Sequence, residues 1–274
     1  MSQWSEGRIS ANDIHIHYYR TGGKKPPILL LHGFTDSGLC WTPVARALEQ
    51  DYDVIMPDAR GHGLSDGPEK GFSTDLLVDD AAAVIQTLGL EKPYVLGHSM
   101  GAHSAAMLAS RYPELVRALL LEDPPWTRTS APKPLAPDKL ATLQNERYAE
   151  MQALQARPFV QRVATIHTER PDWSEEEVHL LARANEQFKP AVFKLGLFEV
   201  ARDWLVVVQQ FTCPTLLITA DTSLGALVTP EIAQLAVSTW QDGRVVRIAK
   251  AGHSIRRDQF NDYMINVRQF LKEK

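Results

Sequence analysis

One pentapeptide restricts the fold of this 274-residue chain more than anything else in it: Gly97-His98-Ser99-Met100-Gly101. A short apolar run, Tyr94-Val95-Leu96, leads in, and a helix-like stretch from Ala102 to Arg111 leads out. Strand, Gly-x-Ser-x-Gly and helix in immediate succession make the outline of a nucleophile elbow. The turn is so sharp that side chains have almost no room on either side of the serine. Glycine is therefore needed two residues before it and two after. Such a turn lifts the Ser99 hydroxyl out of a sheet and aims the Met100 amide toward an incoming carbonyl oxygen.

The surrounding pattern predicts that sheet. Alternation from Ile9 to Tyr19 reads as a strand, and Thr21-Gly22-Gly23-Lys24-Lys25-Pro26-Pro27 as a turn. Ile28-Leu29-Leu30-Leu31 is a continuous apolar run, as expected of a parallel strand covered on both faces. Further strands are expected at 52–56, 94–96, 116–121, 215–219 and 244–248. Helices are expected at 41–50, 74–88, 99–111, 230–240 and from about 258 to 271. This alternation argues for a doubly wound, mostly parallel α/β sheet. The rhythm breaks after Asp123. Prolines at 124, 125, 132, 134 and 137 interrupt regular structure, and from Leu140 to Trp204 only helical patterns occur. The expected organisation is a core of 1–124 and 211–274 with a helical cap, 125–210, inserted in it.

A serine hydroxyl needs a neighbouring base at neutral pH. Of nine histidines, His253 in Ala251-Gly252-His253-Ser254 is the one on a loop just after a late strand. His15, His17, His62, His98, His103, His167 and His179 are assigned packing or surface roles, and His32 the fixing of its own loop. A second oxyanion donor besides Met100 is expected from His32-Gly33-Phe34, through the Phe34 amide. Arg60 is expected to serve structure through salt bridges.

Taken in order, His32-Gly33-Phe34, Asp58-Ala59-Arg60-Gly61-His62-Gly63-Leu64-Ser65, Gly97-His98-Ser99-Met100-Gly101 and Ala251-Gly252-His253 resemble the α/β-hydrolase superfamily, over nearly the whole chain. The resemblance implies a serine esterase or lactonase with a helical cap and no cofactor. One position departs from the family pattern. The usual acid follows the strand read here as Thr215–Thr219, in the form Leu-Leu-Ile-x-Gly-x-x-Asp-x-x-Val-Pro. Counting forward puts Ser223 in its place, and counting back from Val228 puts Gly225 there. Haloalkane dehalogenases and a zearalenone-lactone hydrolase of this fold place the acid one strand earlier, at a spacing similar to that from Ser99 to Asp123. Asp123 is therefore the expected acid, holding the His253 tautomer. Asp221 is the alternative, with Asp123 then only capping the start of the lid. Glu122 should face the opposite side of the sheet. Serine at 99 also sets aside the dehalogenases and epoxide hydrolases, whose nucleophile is a carboxylate.

A net charge of −4 argues against nucleic acid or an anionic membrane as partner. No apolar stretch is long enough to span a bilayer, and the first residues, Met1 to Glu6, lack the features of a secretory signal. Cys40 and Cys213 have no metal-ligand spacing and are expected reduced, in a cytoplasmic protein. The expected substrate is a small-molecule ester or lactone, with Trp126 beside the acid and Phe34 beside the oxyanion hole the residues most suited to touch it. A carbon–carbon hydrolase or haloperoxidase-like enzyme is the second reading. The former would need polar cap residues such as Arg128, Lys133 and Arg162. The third reading is a small-molecule receptor that keeps the fold.

Overall fold

The computed structural model describes residues 4–69, 71–126, 136–195 and 203–274. Eight strands form one sheet: β1 (Ser5–Ala11), β2 (Ile14–Arg20), β3 (Pro27–Leu31), β4 (Asp53–Pro57), β5 (Tyr94–His98), β6 (Ala118–Glu122), β7 (Thr215–Thr219) and β8 (Gly243–Arg247). Their order is β1-β2-β4-β3-β5-β6-β7-β8. The β1–β2 and β2–β4 pairs are antiparallel, and every pair from β4–β3 to β7–β8 is parallel. Helices α1 (Thr42–Leu48), α2 (Thr74–Thr87) and α3 (Met100–Arg111) connect the first strands. Between β6 and β7 lie α4 (Pro137–Gln155), α5 (Phe159–Glu169), α6 (Glu175–Gln187), a 3-10 turn (Pro190–Lys194) and α7 (Trp204–Val208). The chain ends with α8 (Pro230–Val237), a single turn α9 (Ile255–Asp258) and α10 (Phe260–Glu273).

The continuous apolar runs divide by parity. Leu29, Leu31, Val95, Leu119, Leu121 and Leu217 join the core under α2, α3 and α8. Ile28, Leu30, Leu96, Leu120, Leu216 and Ile218 join the core under α1 and α10. Successive side chains on a strand alternate between faces, so a strand covered on both sides must be apolar throughout. A third cluster joins Phe72 and Leu77 of the core to Met151, Phe188, Val192 and Phe193 of the inserted helices, and Phe34 and Met100 pack against it. No helix among the described residues is long and apolar enough to cross a membrane.

Two elements differ from expectation. The stretch Ile9–Tyr19 is a hairpin and not one strand, because Asn12 and Asp13 both take positive φ, 51° and 63°. Consecutive positive φ at two such residues makes the tight turn whose twist suits a two-residue hairpin. Helix α4 starts at Pro137 and not at Leu140, since proline fits the first helical position, where its missing N–H would have no acceptor. Residues 127–135, which include Arg128, Lys133 and two of the expected interrupting prolines, lie outside the described residues.

Candidate active site

The elbow is built as tightly as its glycines suggest. Ser99 takes φ 52° and ψ −114° between β5 and α3. A Cβ on Gly97 would lie 2.3 Å from the carbonyl oxygen of Gly101, and one on Gly101 would lie 2.1 Å from that of Leu31. Contact of that kind with backbone cannot be relieved by turning a side chain. The missing side chain at 101 thus lets the start of α3 lie against the end of β3, beside the loop that carries Phe34. Met100 opens α3, so its amide has no acceptor within the helix.

Three side chains from three strand ends converge. His253 Nε2 lies 3.0 Å from Ser99 Oγ, and its Nδ1 lies 2.6 Å from Asp123 Oδ2. A carboxylate only accepts, so Nδ1 carries the proton and Nε2 presents its lone pair to the serine hydroxyl. Asp123 is fully buried and also accepts from the amides of Leu227 and Val228, at 2.9–3.1 Å. Those amides belong to the loop after β7, where the resemblance looks for the acid itself. Here that loop supplies backbone donors to a carboxylate anchored on the neighbouring strand. Asp221 is turned away: it is ion-paired with Arg247 and accepts from the Lys250 amide at 2.9 Å. Glu122 faces the other way, accepting from the Arg256 amide at 3.0 Å and from its guanidinium at 3.3 Å.

Backbone strain gathers at this place. Seven described non-glycine residues have positive φ. Asn12, Asp13 and Lys92 sit in turns elsewhere. Thr35, Ser99, Asp123 and Lys250 occupy the four loops around the convergent side chains. Conformations of this kind persist where the surroundings over-determine them, and they collect at working sites.

The remaining expected residues fall as follows. Phe34 meets His62, Phe72, Phe188 and Phe193 edge-on, with ring centroids 5.2–6.4 Å apart. His32 holds its loop as expected, with Nδ1 2.8 Å from the Gly33 carbonyl and Nε2 accepting from the Ala59 amide at 3.0 Å. Arg60 is buried and grips both oxygens of Asp80 at 2.7 Å. Trp126 does not open onto the site: its ring is 1% exposed, stacked at 5.1 Å on Trp204, with Nε1 3.4 Å from His103 Nδ1. Its proximity to Asp123 in sequence becomes core packing, not substrate contact. Arg162 likewise turns inward, onto the carbonyls of Gln155 and Arg157.

Sequence reasoning passed over a buried polar cluster behind His253. His98 Nε2 lies 3.0 Å from the His253 carbonyl oxygen, and the two rings are 4.8 Å apart. Burial, with Arg256 nearby, pushes His98 well below its ordinary value, so the ring is neutral with the proton on Nε2. Asp36 receives Arg256 at 2.9 Å and Arg257 at 3.0 Å. Burial alone would push its pKa up, but the Arg257 and Arg256 guanidiniums outweigh it and hold the carboxyl below the usual range. Burial holds Glu122 above that range against the pull of Arg256. The one sequence signal for this cluster is the pair of adjacent arginines three residues after His253, with Asp36 two residues after Phe34.

A cleft of about 440 Å3 lies beside the Phe34 loop, lined by Phe34 and Phe193 with Met151, Leu154 and Arg147 of α4. Its volume suits a small molecule.

The fold and this constellation define a hydrolase, and the comparisons agree. The alpha/beta hydrolase fold family matches residues 26–256, and the chain belongs to that family. Among curated relatives, N-formylmaleamate deformylase of Pseudomonas putida is 31% identical over 272 residues, covering 97% of this chain and 96% of its own. The 2-(acetamidomethylene)succinate hydrolase of Mesorhizobium japonicum is 36% identical over 126 residues, 46% of this chain and 43% of its own. Among solved structures, the N-formylmaleamic acid deformylase of Pseudomonas putida S16 superposes with TM-score 0.80 at 26% identity, covering 96% of this chain and all of that one.

Proposed function

We propose that this chain is a serine hydrolase that removes an acyl group from the nitrogen of a small carboxylate-bearing molecule, by an acyl-enzyme route. The observation that carries the reading is the hydrogen-bonded series from Ser99 Oγ through His253 to Asp123, at 3.0 and 2.6 Å. Ser99 is the nucleophile and His253 the base that takes its proton. Asp123 fixes the tautomer and stabilises the imidazolium. The Phe34 and Met100 amides hold the oxyanion of the tetrahedral intermediate. As that intermediate collapses, His253 returns its proton to the leaving nitrogen, without which an amide anion would have to depart. Water, activated by the same histidine, then releases the acid from Ser99. The helices inserted between β6 and β7 serve as the cap.

The nature of the leaving group rests on the relatives. Both named activities concern an N-acyl group, formyl or acetyl, on a molecule that also carries carboxylate. Arg147 and Glu150, paired at 3.0 Å, both line the Phe34 cleft, and such a substrate's carboxylate would compete with Glu150 for the guanidinium. An ester or lactone, the substrate expected from the sequence, uses the same steps with oxygen as the leaving atom. The test is a panel of N-formyl and N-acetyl amides of small unsaturated acids, p-nitrophenyl esters and simple lactones. Ser99→Ala is the blank, and turnover falls by about 10⁴-fold or more in it. Preferential Ser99-dependent turnover of the amides is the expected result. Preference for esters or lactones reassigns the leaving group, and turnover that survives Ser99→Ala ends the mechanism.

A further inference from the structure

We propose that Glu177 of α6, acting through Arg257 and Asp36, is a positioning residue that makes the placement of His253 and of the Phe34 loop depend on the docking of the inserted helices. The inference rests on the reading of Ser99 and His253 given above.

The geometry runs in one connected path. Arg257 Nε donates to Glu177 Oε2 at 2.9 Å, and its Nη2 donates to Asp36 Oδ1 at 3.0 Å. The other oxygen of Asp36 receives Arg256 Nη2 at 2.9 Å, and Arg256 continues to Glu122. Both arginines stand in α9, immediately after the His253 loop. Asp36 is two residues past Phe34, and Glu122 precedes Asp123. The loops bearing the base, the acid and one oxyanion donor therefore end in a single buried charge cluster. Glu177 is the carboxylate that α6 contributes to it.

All five charged side chains are buried, and a charge taken out of water is tolerated only while its partners stay in place. Removing the Glu177 charge leaves two guanidiniums sharing Asp36 and Glu122, and they must redistribute around Asp36. The shift reaches His253 through α9 itself, which carries both arginines and begins two residues after it, while His98 donates from Nε2 to the His253 carbonyl and only packs near Asp36. A second tie runs in parallel: Trp173 Nε1 donates to Asp258 Oδ1 at 2.7 Å, and Asp258 Oδ2 accepts from the Gly252 amide at 2.8 Å. The Trp173 ring also lies under the Arg257 guanidinium, at 4.9 Å.

The same helix offers an internal control. Glu176 pairs with Arg46 of α1 at 2.6 Å, an exposed pair that is not part of the buried charge cluster. It shares the docking of α6 without sharing the cluster.

The experiment measures how fast a fluorophosphonate modifies Ser99, which requires His253 and the oxyanion donors but no knowledge of the natural substrate. Maximal labelling rate and half-saturating probe concentration are determined separately, for variants whose folding is checked by thermal melting. Glu177→Gln is expected to lower the maximal rate about tenfold, a sub-ångström misplacement of the base sufficing, with half-saturation little changed. Glu177→Asp should restore most of the rate, and Glu176→Gln should label like the wild type. A folded Glu177→Gln that labels at the wild-type rate overturns the proposal, as does a Glu176→Gln slowed to the same degree. Should Glu177→Gln not fold, Arg257→Lys decides: it keeps the positive charge but loses the planar fork that holds Glu177 and Asp36 together. A slower maximal rate supports the proposal and an unchanged one overturns it. Wild-type protein that fails to label at Ser99 refutes the underlying serine-hydrolase reading, a different outcome from either.

Discussion

Asp123 is held at φ 41° by three partners: the amides of Leu227 and Val228, and the His253 ring. Each prefers a charged carboxylate, and together they offset the cost of burying it. Asp123→Asn keeps the shape but places an amide where only an acceptor fits, favouring the wrong imidazole tautomer. Turnover should drop by about 10⁴-fold. Asp221→Asn should cost less than about tenfold in turnover, with its effect seen in thermal melting, because Asp221 ties Arg247 to the loop before His253. Steady-state kinetics of the two variants, measured side by side, checks both. Equal losses would remove the distinction between them. At this scale the convergence of Ser99, His253 and Asp123 was legible because their side chains declare their chemistry. The Leu227 and Val228 donors were not, since a backbone amide has no signature in the sequence. Trp126 misled because its partner, Trp204, lies far along the chain.

Among the elements, the strand–elbow–helix unit is the least forgiving. Gly101→Ala places a methyl 2.1 Å from the Leu31 carbonyl, inside a backbone contact between α3 and β3. Overpacking of this kind costs about 1–3 kcal/mol, and more where only backbone can yield. The melting temperature should fall by several degrees, and Ser99 labelling should fall with it. A variant that melts and labels as the wild type does would mean that α3 can withdraw from the sheet at little cost. Elements of this sort read easily, since glycine spacing and apolar runs are local. The hairpin β1–β2 reads as one strand on alternation alone, although its signal is there: apolar positions shift from odd at Ile9 and Ala11 to even at Ile14 and Ile16, and that change of parity marks the turn. The charge cluster behind His253 joins residues 36, 122, 177, 256 and 257. No local pattern reveals a set so dispersed.

The whole molecule carries a pH dependence set by its interior. Burial pushes His62 down to about 3 and His103 to about 4, and also lowers His32 and His98. In the unfolded chain these rings titrate near 6.5. Below that pH the unfolded state binds protons that the native state refuses, so stability falls as pH falls. The slope is up to ~1.4 kcal/mol per pH unit for each ring. Asp36 adds to the loss at lower pH, its depressed native value being passed only after the unfolded carboxyl has already protonated. Melting temperature should therefore drop steeply from pH 6.5 to pH 5, and a flat profile would show that these rings reach water.

The placement of Asp123 bears on how such a chain can change over generations. His98 and Glu122 face each other across β5 and β6, and the Ser99 amide donates to the Glu122 carbonyl at 2.9 Å. Ser99 and Asp123 thus leave adjacent rungs of one ladder. The loop after β7 owes the site only two amide hydrogens, which nineteen of the twenty amino acids can provide. The half-buried side chain at 227 can vary so long as it does not become proline, whereas Val228 also fills the core beneath α8 and must stay apolar. A lineage built this way needs no carboxylate in that loop to keep Asp123 against His253, and a search for an aspartate there would pass it by.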